Sequence, residues 1–107
     1  MRIYVSGPMT GLPKNNVPAF NRAAKQLRAL GYKVVNPAEL DAGEPCTTWE
    51  ECLRRDIKWL VTCDAVVNLP GWEKSRGANL ENHIAEKLSF DVYTIDQFMR
   101  RKKNAIR

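Results

Sequence analysis

Metal ligands are scarce in this sequence, which has a single histidine and three cysteines that form no Cys-x-x-Cys pair. A metal site built from His and Cys is therefore not expected. Any disulfide scheme would leave one of Cys46, Cys52 and Cys63 unpaired. We therefore expect three reduced thiols, as in a cytoplasmic protein.

Long apolar runs are also absent, although apolar residues make up 44% of the chain. A membrane-spanning helix needs about 20 predominantly apolar residues, so we expect no membrane contact and no secretory signal. A chain of 107 residues can bury one core but not two, which predicts a single domain over residues 1–107.

Several common signatures are missing. The first glycine-containing loop lacks the Gly-x-Gly-x-x-Gly of dinucleotide-binding folds, and no P-loop lysine signature is present. No ordering of Ser, His and an acid suggests a hydrolase triad.

Positive charge is concentrated at one end of the chain. The formal net charge is +5, and residues 100–107 contain five basic residues and no acidic one. The remainder is therefore formally neutral. A basic tail can bind nucleic acid, but we favour a solvated terminus and do not expect nucleic-acid binding.

Short β-prone runs alternate with helical apolar spacing along the chain. This pattern predicts an α/β fold: a flavodoxin- or Rossmann-like three-layer sandwich whose parallel sheet has four to five strands in the order 2-1-3-4. The predicted strands cover residues 1–6, 32–35, 65–69 and 92–95, and the long helices begin near residues 16, 48 and 77.

Two loops follow the central predicted strands, at residues 7–11 and 70–77. Ligands of such sheets bind at the carboxyl ends of the strands, near the switch between strands 1 and 3. The first loop is long for an ordinary strand-to-helix connection, which favours a ligand-binding loop. The sequence thus predicts a site at this edge of the sheet.

Glu81 lies near the start of the third long predicted helix, beside an apolar stripe of Leu80, Ile84 and Leu88 that we expect to face the core. In the first turn it would point partly inward, where the helix N-terminus favours an ionised carboxylate. Such a group could act as a nucleophile or a base. The alternative is a glutamate that only caps its helix.

Asp56 falls on the apolar stripe of the middle helix, between Leu53 and Leu60. Burial would raise its pKa, which suits a proton donor. The alternative is an aspartate bonded to neighbouring backbone or to an arginine. Asp56 would then supply the acid of a retaining glycosidic cleavage and Glu81 the nucleophile. The hydroxyl of Tyr4 could orient Glu81.

Three segments resemble motifs of the nucleoside 2-deoxyribosyltransferase superfamily: MRIYVSGPMTG, RDIKWLVTCDAVVNL and SRGANLENHIA. The resemblance covers residues 2–95. The superfamily also includes deoxynucleoside 5′-monophosphate N-glycosidases, and small uncharacterised members are frequent in phages and prophages. One departure is His83, which stands where the family has glycine.

The resemblance implies that Glu81 attacks the anomeric carbon of a 2-deoxyribosyl group while Asp56 protonates the leaving base and Tyr4 holds Glu81. Water or a second base would resolve the covalent intermediate. No cofactor or metal is implied, and a homodimer or higher homo-oligomer is expected. The alternatives are a non-catalytic nucleotide-binding module on the same fold and an NAD-type glycohydrolase.

The substrate-binding residues that we predict surround the two loops. A hydroxyl, a cation and backbone N–H groups in the second loop suit a phosphate, and the resemblance to the monophosphate glycosidases favours a nucleotide over a nucleoside. Met9 and Thr10 stand where those glycosidases have an arginine, which weakens the phosphate argument. The predicted residues are Gly7, Pro8, Met9, Thr10, Gly11, Ser75, Arg76 and Gly77.

Overall fold

A computed structural model of the chain describes the backbone of residues 1–105 and the side chains of residues 1–102. The last two residues of the basic tail, 106 and 107, lie outside the described residues. The strands are β1 (Arg2–Ser6), β2 (Lys33–Val35), β3 (Ala65–Asn68) and β4 (Asp91–Thr94). The helices are α1 (Val17–Ala29), α2 (Pro37–Gly43), α3 (Trp49–Leu60), α4 (Arg76–Lys87) and α5 (Ile95–Ala105).

The four strands form one parallel sheet in the order β2-β1-β3-β4, which confirms the predicted fold and strand order. The central strand β1 pairs with both β2 and β3, so its carboxyl end lies at the switch point of the sheet. Ser6, the last residue of β1, is the register partner of Asn68, the last residue of β3.

Successive side chains along each strand point to opposite faces of the sheet, and this separates two core clusters. Ile3 and Val5 pack with Phe20, Leu27 and Phe98 under α1 and α5. Tyr4 points the other way and packs with Val66, Leu60 and Ala85 under α3 and α4. Within residues 1–105, no helix has both the length and the apolar character that crossing a bilayer requires.

The short helix α2 follows directly after β2. Asn36 caps it, accepting a hydrogen bond of 3.0 Å from the Ala38 N–H, and Pro37 provides its first residue. These are ordinary helix-start signals.

The orientation of α4 differs from the prediction. Leu80 and Leu88 are 39% and 49% exposed, whereas the buried face carries Ala78, Glu81, Asn82 and Ala85. The small alanines allow the helix to pack closely on the sheet, and the larger leucines are left facing solvent. The predicted core-facing stripe was therefore wrong for Leu80 and Leu88, whereas Ile84 packs, partly buried, against the core. Glu81 is more deeply buried than that stripe implied.

The prediction of three reduced thiols was also wrong, because Cys46 and Cys52 form a disulfide. The Thr48 hydroxyl caps α3 by accepting a hydrogen bond of 3.1 Å from the Glu51 N–H. The turn at this cap brings the Cα atoms of Cys46 and Cys52 to 5.2 Å, which is within bonding range. Cys63 keeps its free, buried thiol.

Reduction of the disulfide is expected to destabilise the protein, because the bond restricts the unfolded chain. For the six-residue separation, loop-closure entropy gives a loss of about 2 kcal/mol. Urea unfolding with and without reductant measures this loss. The Cys46→Ser variant should be insensitive to reductant, and an equal free energy of unfolding for oxidised and reduced wild type would contradict the prediction.

Candidate active site

The site centres on the carboxyl group of Glu81, whose side chain is directed from α4 onto β1. The residue is 5% exposed. Tyr4 Oη donates a hydrogen bond to one carboxyl oxygen, and Ser6 Oγ donates to the other at 2.8 Å. Two hydroxyl groups therefore hold both oxygens in place.

Tyr4 and Ser6 reach the same carboxyl group because residues two apart on a strand face the same side of the sheet. The contact between Tyr4 and Glu81 is the one that the family resemblance implied. Ser6 was not singled out from the sequence. The signal was available, since any residue two positions after Tyr4 on β1 must share its face.

The electrostatic environment of Glu81 favours a proton on its carboxyl group. Burial raises its pKa to about 7, the hydrogen bonds from Tyr4 and Ser6 act in the opposite direction, and the negative charge of Asp56 adds to the rise. Within the part of the chain that the structure describes, no Lys, Arg or His forms an ion pair with Glu81.

This result differs from the expected carboxylate ionised by a helix N-terminus. Helix α4 begins at Arg76, so Glu81 is its sixth residue and lies beyond the first turn. Its hydrogen-bond donors are side-chain hydroxyls from β1 and not free backbone N–H groups. The dipole argument therefore does not apply at this position.

Tyr4 remains a hydrogen-bond donor over the whole physiological pH range. Burial raises its pKa well above the usual value for tyrosine, and the charges of Glu81 and Asp56 raise it further. A protonated phenol can donate to the carboxylate of Glu81 but cannot remove its proton.

Asp56 extends from α3, with its side chain 13% exposed. Burial raises its pKa to about 6, as predicted, although Arg55 opposes the rise. Arg55 Nε donates a hydrogen bond of 3.0 Å to Asp56 Oδ1. The alternative of an aspartate bonded to an arginine therefore also describes the structure.

Arg55 is anchored by more than this one carboxylate. Its guanidinium donates to Asp41 at 2.6 Å and to the backbone oxygen of Glu44 at 3.0 Å. Helices α2 and α3 are thus joined through Arg55, and Asp56 is held at the edge of this network. Among the described residues, no cluster of three or more His, Cys, Asp or Glu side chains could hold a metal ion.

Several residues of the predicted ligand loop at residues 7–11 make packing or hydrogen-bond contacts within the fold. A Cβ on Gly7 would lie 2.8 Å from the Leu69 Cβ, so glycine is needed there for the close approach of the two loops. Asn16 donates a hydrogen bond of 2.9 Å to the Pro8 carbonyl. Met9 packs against the α1/α5 core, while Thr10 and Gly11 are exposed.

The predicted phosphate-binding residues lie at the start of α4. Ser75 caps the helix by accepting a hydrogen bond of 3.2 Å from the Ala78 N–H. The guanidinium of Arg76 lies 3.8 Å from the centre of the Trp49 ring. A Cβ on Gly77 would meet Leu53 at 3.8 Å, so this glycine lies close to α3. Phosphate binding by these residues stays a prediction.

A family model described as "Domain of unknown function (DUF4406)" matches residues 1–94. The chain belongs to this family. The matched region contains all four strands and every predicted site residue, and it ends where α5 begins. No curated protein matches the chain, so no named homologue connects it with the nucleoside 2-deoxyribosyltransferase superfamily.

A groove of about 340 Å³ lies on the opposite face of the sheet, between α1 and α5. None of the predicted site residues lines it. We base the candidate site on Glu81 rather than on this groove, because the two carboxyl groups with raised pKa lie on the other face. The groove is lined by Ala19, Arg22, Ala23, Gln26, Leu69, Pro70, Ile95, Asp96 and Met99.

Replacing Gly7 with alanine is expected to destabilise the protein by about 1–3 kcal/mol, because the added Cβ overpacks Leu69. Gly43→Ala is the matched control, since a Cβ there meets nothing within 4 Å and the φ angle is not positive. Chemical denaturation of both variants measures the difference. Equal stability of the two variants would show that Gly7 has no packing role.

Proposed function

We propose that this protein cleaves the N-glycosidic bond of a 2′-deoxynucleoside 5′-monophosphate or a deoxynucleoside through a covalent deoxyribosyl–Glu81 intermediate. The observation that carries the proposal is the buried Glu81 carboxyl group, which accepts hydrogen bonds from two hydroxyls and forms no ion pair with any side chain that the structure describes. Buried, unneutralised carboxyl groups are costly and are concentrated at functional sites.

In the first step, an ionised Glu81 oxygen forms a bond to the anomeric carbon. The C1′–N bond breaks, its electron pair passes to the base, and Asp56 donates its proton to the departing base. In the second step, water or another base attacks the same carbon while Asp56 takes up a proton. Glu81 leaves as a carboxylate, so the enzyme returns to its starting state.

The hydroxyls of Tyr4 and Ser6 have a clear task in this scheme. They fix the carboxylate of Glu81 relative to β1, so that the nucleophilic oxygen need not be oriented during the reaction. They also stabilise the negative charge that returns to Glu81 when the ester breaks.

A 5′-monophosphate is the substrate form that the residues at the start of α4 fit better. Arg76 provides a cation and the first turn of α4 provides free N–H groups, both suited to a phosphate. Membership of the nucleoside 2-deoxyribosyltransferase superfamily, a homo-oligomeric state and a cytoplasmic location belong to the same proposal. The sheet order and the Tyr4–Glu81 contact support the superfamily relationship.

A non-catalytic nucleotide-binding module is the second candidate. The ion pair between Arg55 and Asp56 favours it, because a neighbouring guanidinium stabilises the ionised carboxylate, which has no proton to donate. The two candidates differ in one measurable outcome, which is the release of free base.

Glu81→Gln is expected to lower base release by a factor on the order of 10³ or more, since an amide cannot form the sugar ester. The measurement is free-base release from a panel of deoxynucleosides and their 5′-monophosphates, with and without an acceptor base. Glu86→Gln, an exposed glutamate on the same helix, is the control. Nucleotide binding without any base release by wild type would favour the binding module.

The rate of cleavage should depend on pH through both carboxyl groups. The pKa of Asp56 is about 6 and that of Glu81 about 7. Below about pH 7 Glu81 is mostly protonated and cannot attack, and above about pH 6 Asp56 is mostly ionised and cannot donate a proton. The reactive form, with Glu81 ionised and Asp56 protonated, is therefore a minor species that is most populated between these two pH values.

We therefore expect kcat/KM to pass through a maximum between about pH 6 and pH 7. In Asp56→Asn the alkaline limb should disappear, because no proton donor is left to titrate. A wild-type profile that keeps rising to pH 9 would rule out Asp56 as the acid.

A further inference from the structure

Two consecutive residues of α4 bond to two neighbouring strands of the sheet. Glu81 accepts hydrogen bonds from Tyr4 and Ser6 on β1. Asn82 bonds to Asn68 at the end of β3. Because Ser6 and Asn68 are register partners, the two attachments lie side by side at the carboxyl edge of the sheet.

The contact between Asn68 and Asn82 is reciprocal. Asn68 Nδ2 donates to Asn82 Oδ1 at 2.7 Å, and Asn82 Nδ2 donates to Asn68 Oδ1 at 2.8 Å. Asn82 Nδ2 also donates to the Ala78 carbonyl at 2.8 Å. Both residues are buried, so each amide depends on the other for satisfied hydrogen bonds.

The rest of the buried face of α4 provides little to fix the helix in one position. Besides Glu81 and Asn82 its fully buried residues are the alanines Ala78 and Ala85, and Ile84 is the larger side chain that packs, partly buried, against the core. Small side chains make shallow ridges, and the interlocking of larger side chains that fixes packed helices is reduced here.

We propose that the Asn68–Asn82 amide pair is the positioning element of α4. It fixes the rotation of the helix about its own axis and its position along that axis, and so keeps the Glu81 carboxyl group hydrogen-bonded to Tyr4 and Ser6. A shift of α4 along its axis by the rise of one residue, about 1.5 Å, would break the hydrogen bonds to Glu81, because donor–acceptor distances in hydrogen bonds vary by only a few tenths of an ångström. The catalytic part of this inference rests on the proposed function, whereas the positioning of Glu81 does not.

The amide pair acts on Glu81 through geometry and not through charge. The charged or titratable groups that influence Glu81 are Tyr4 on β1 and Asp56 on α3, and Asp56 is itself paired with Arg55. Asn68 and Asn82 are neutral. A change in the titration of Glu81 after their replacement therefore reports a displaced carboxyl group.

The decisive variant replaces both asparagines with leucine, which has nearly the same shape. Removing both partners of a buried hydrogen bond together leaves no unsatisfied group, so the double variant should fold with nearly wild-type stability. Each single variant leaves one amide unsatisfied and should be less stable. Urea unfolding establishes that the double variant is folded before its site is examined.

In the folded double variant, we expect the pKa of Glu81 to rise, because the buried carboxyl group loses its hydroxyl donors. NMR titration of the 13C-labelled side-chain carboxyl group measures this pKa without any substrate. For base release we expect kcat to fall by about 10–100-fold with little change in KM, as for a misplaced catalytic group. His83→Leu, a solvent-facing change beside Asn82, is the matched control.

A Glu81 titration identical to wild type in the folded double variant would overturn the proposal. If that variant does not fold, Asn68→Ser, which removes the carboxamide that makes both bonds to Asn82, must show the same direction of change, and an unaltered titration there would also overturn it. Wild-type protein without base release would remove the proposed function alone, since the titration still decides the positioning role.

Discussion

The burial of the Glu81 carboxyl group, with no cation paired to it in the described part of the chain, is the constraint on which the candidate site depends. Removing a carboxyl group from water is unfavourable, and the hydroxyls of Tyr4 and Ser6 offset this cost directly. Helix α4 and strand β1 must therefore keep one relative position. A raised pKa is the direct consequence, and it places the group in the range useful for chemistry near neutral pH.

The sheet brings these groups together through its strand order. Because β1 lies between β2 and β3, the carboxyl ends of β1 and β3 are adjacent, and the polar residues Ser6 and Asn68 end those strands side by side. Both face α4, where Glu81 and Asn82 meet them. The opposite face of the same strands is apolar and supports α1 and α5. One edge of the sheet thus has a polar side, which carries the candidate site, and an apolar side packed against α1 and α5.

A second network fixes the other carboxyl group. Arg55 joins Asp41, the Glu44 carbonyl and Asp56, so the position of Asp56 depends on the segment between α2 and α3. The disulfide joins Cys46 of this segment to Cys52 within α3 and restrains the start of that helix. Glu81 is held by neutral hydroxyls and Asp56 by a cation. Burial raises the pKa of both carboxyl groups, and the more deeply buried Glu81, which has no guanidinium bonded to it in the described residues, has the higher pKa.

The sequence determined the α/β class, the strand order, and the choice of Tyr4, Asp56 and Glu81, because alternation, helical spacing and short motifs are local properties of the chain. Tertiary structure decided which side of α4 is buried, since Leu80 and Ala78 both fit helical spacing and only close packing on the sheet selects the alanines. Tertiary structure also decided that Cys46 pairs with Cys52 and that Arg55 bonds to Asp56. It further decided that the Ser6 hydroxyl donates a hydrogen bond to Glu81. These features depend on distances between side chains, and the bond from Ser6 to Glu81 joins residues that only the folded sheet and helix bring together.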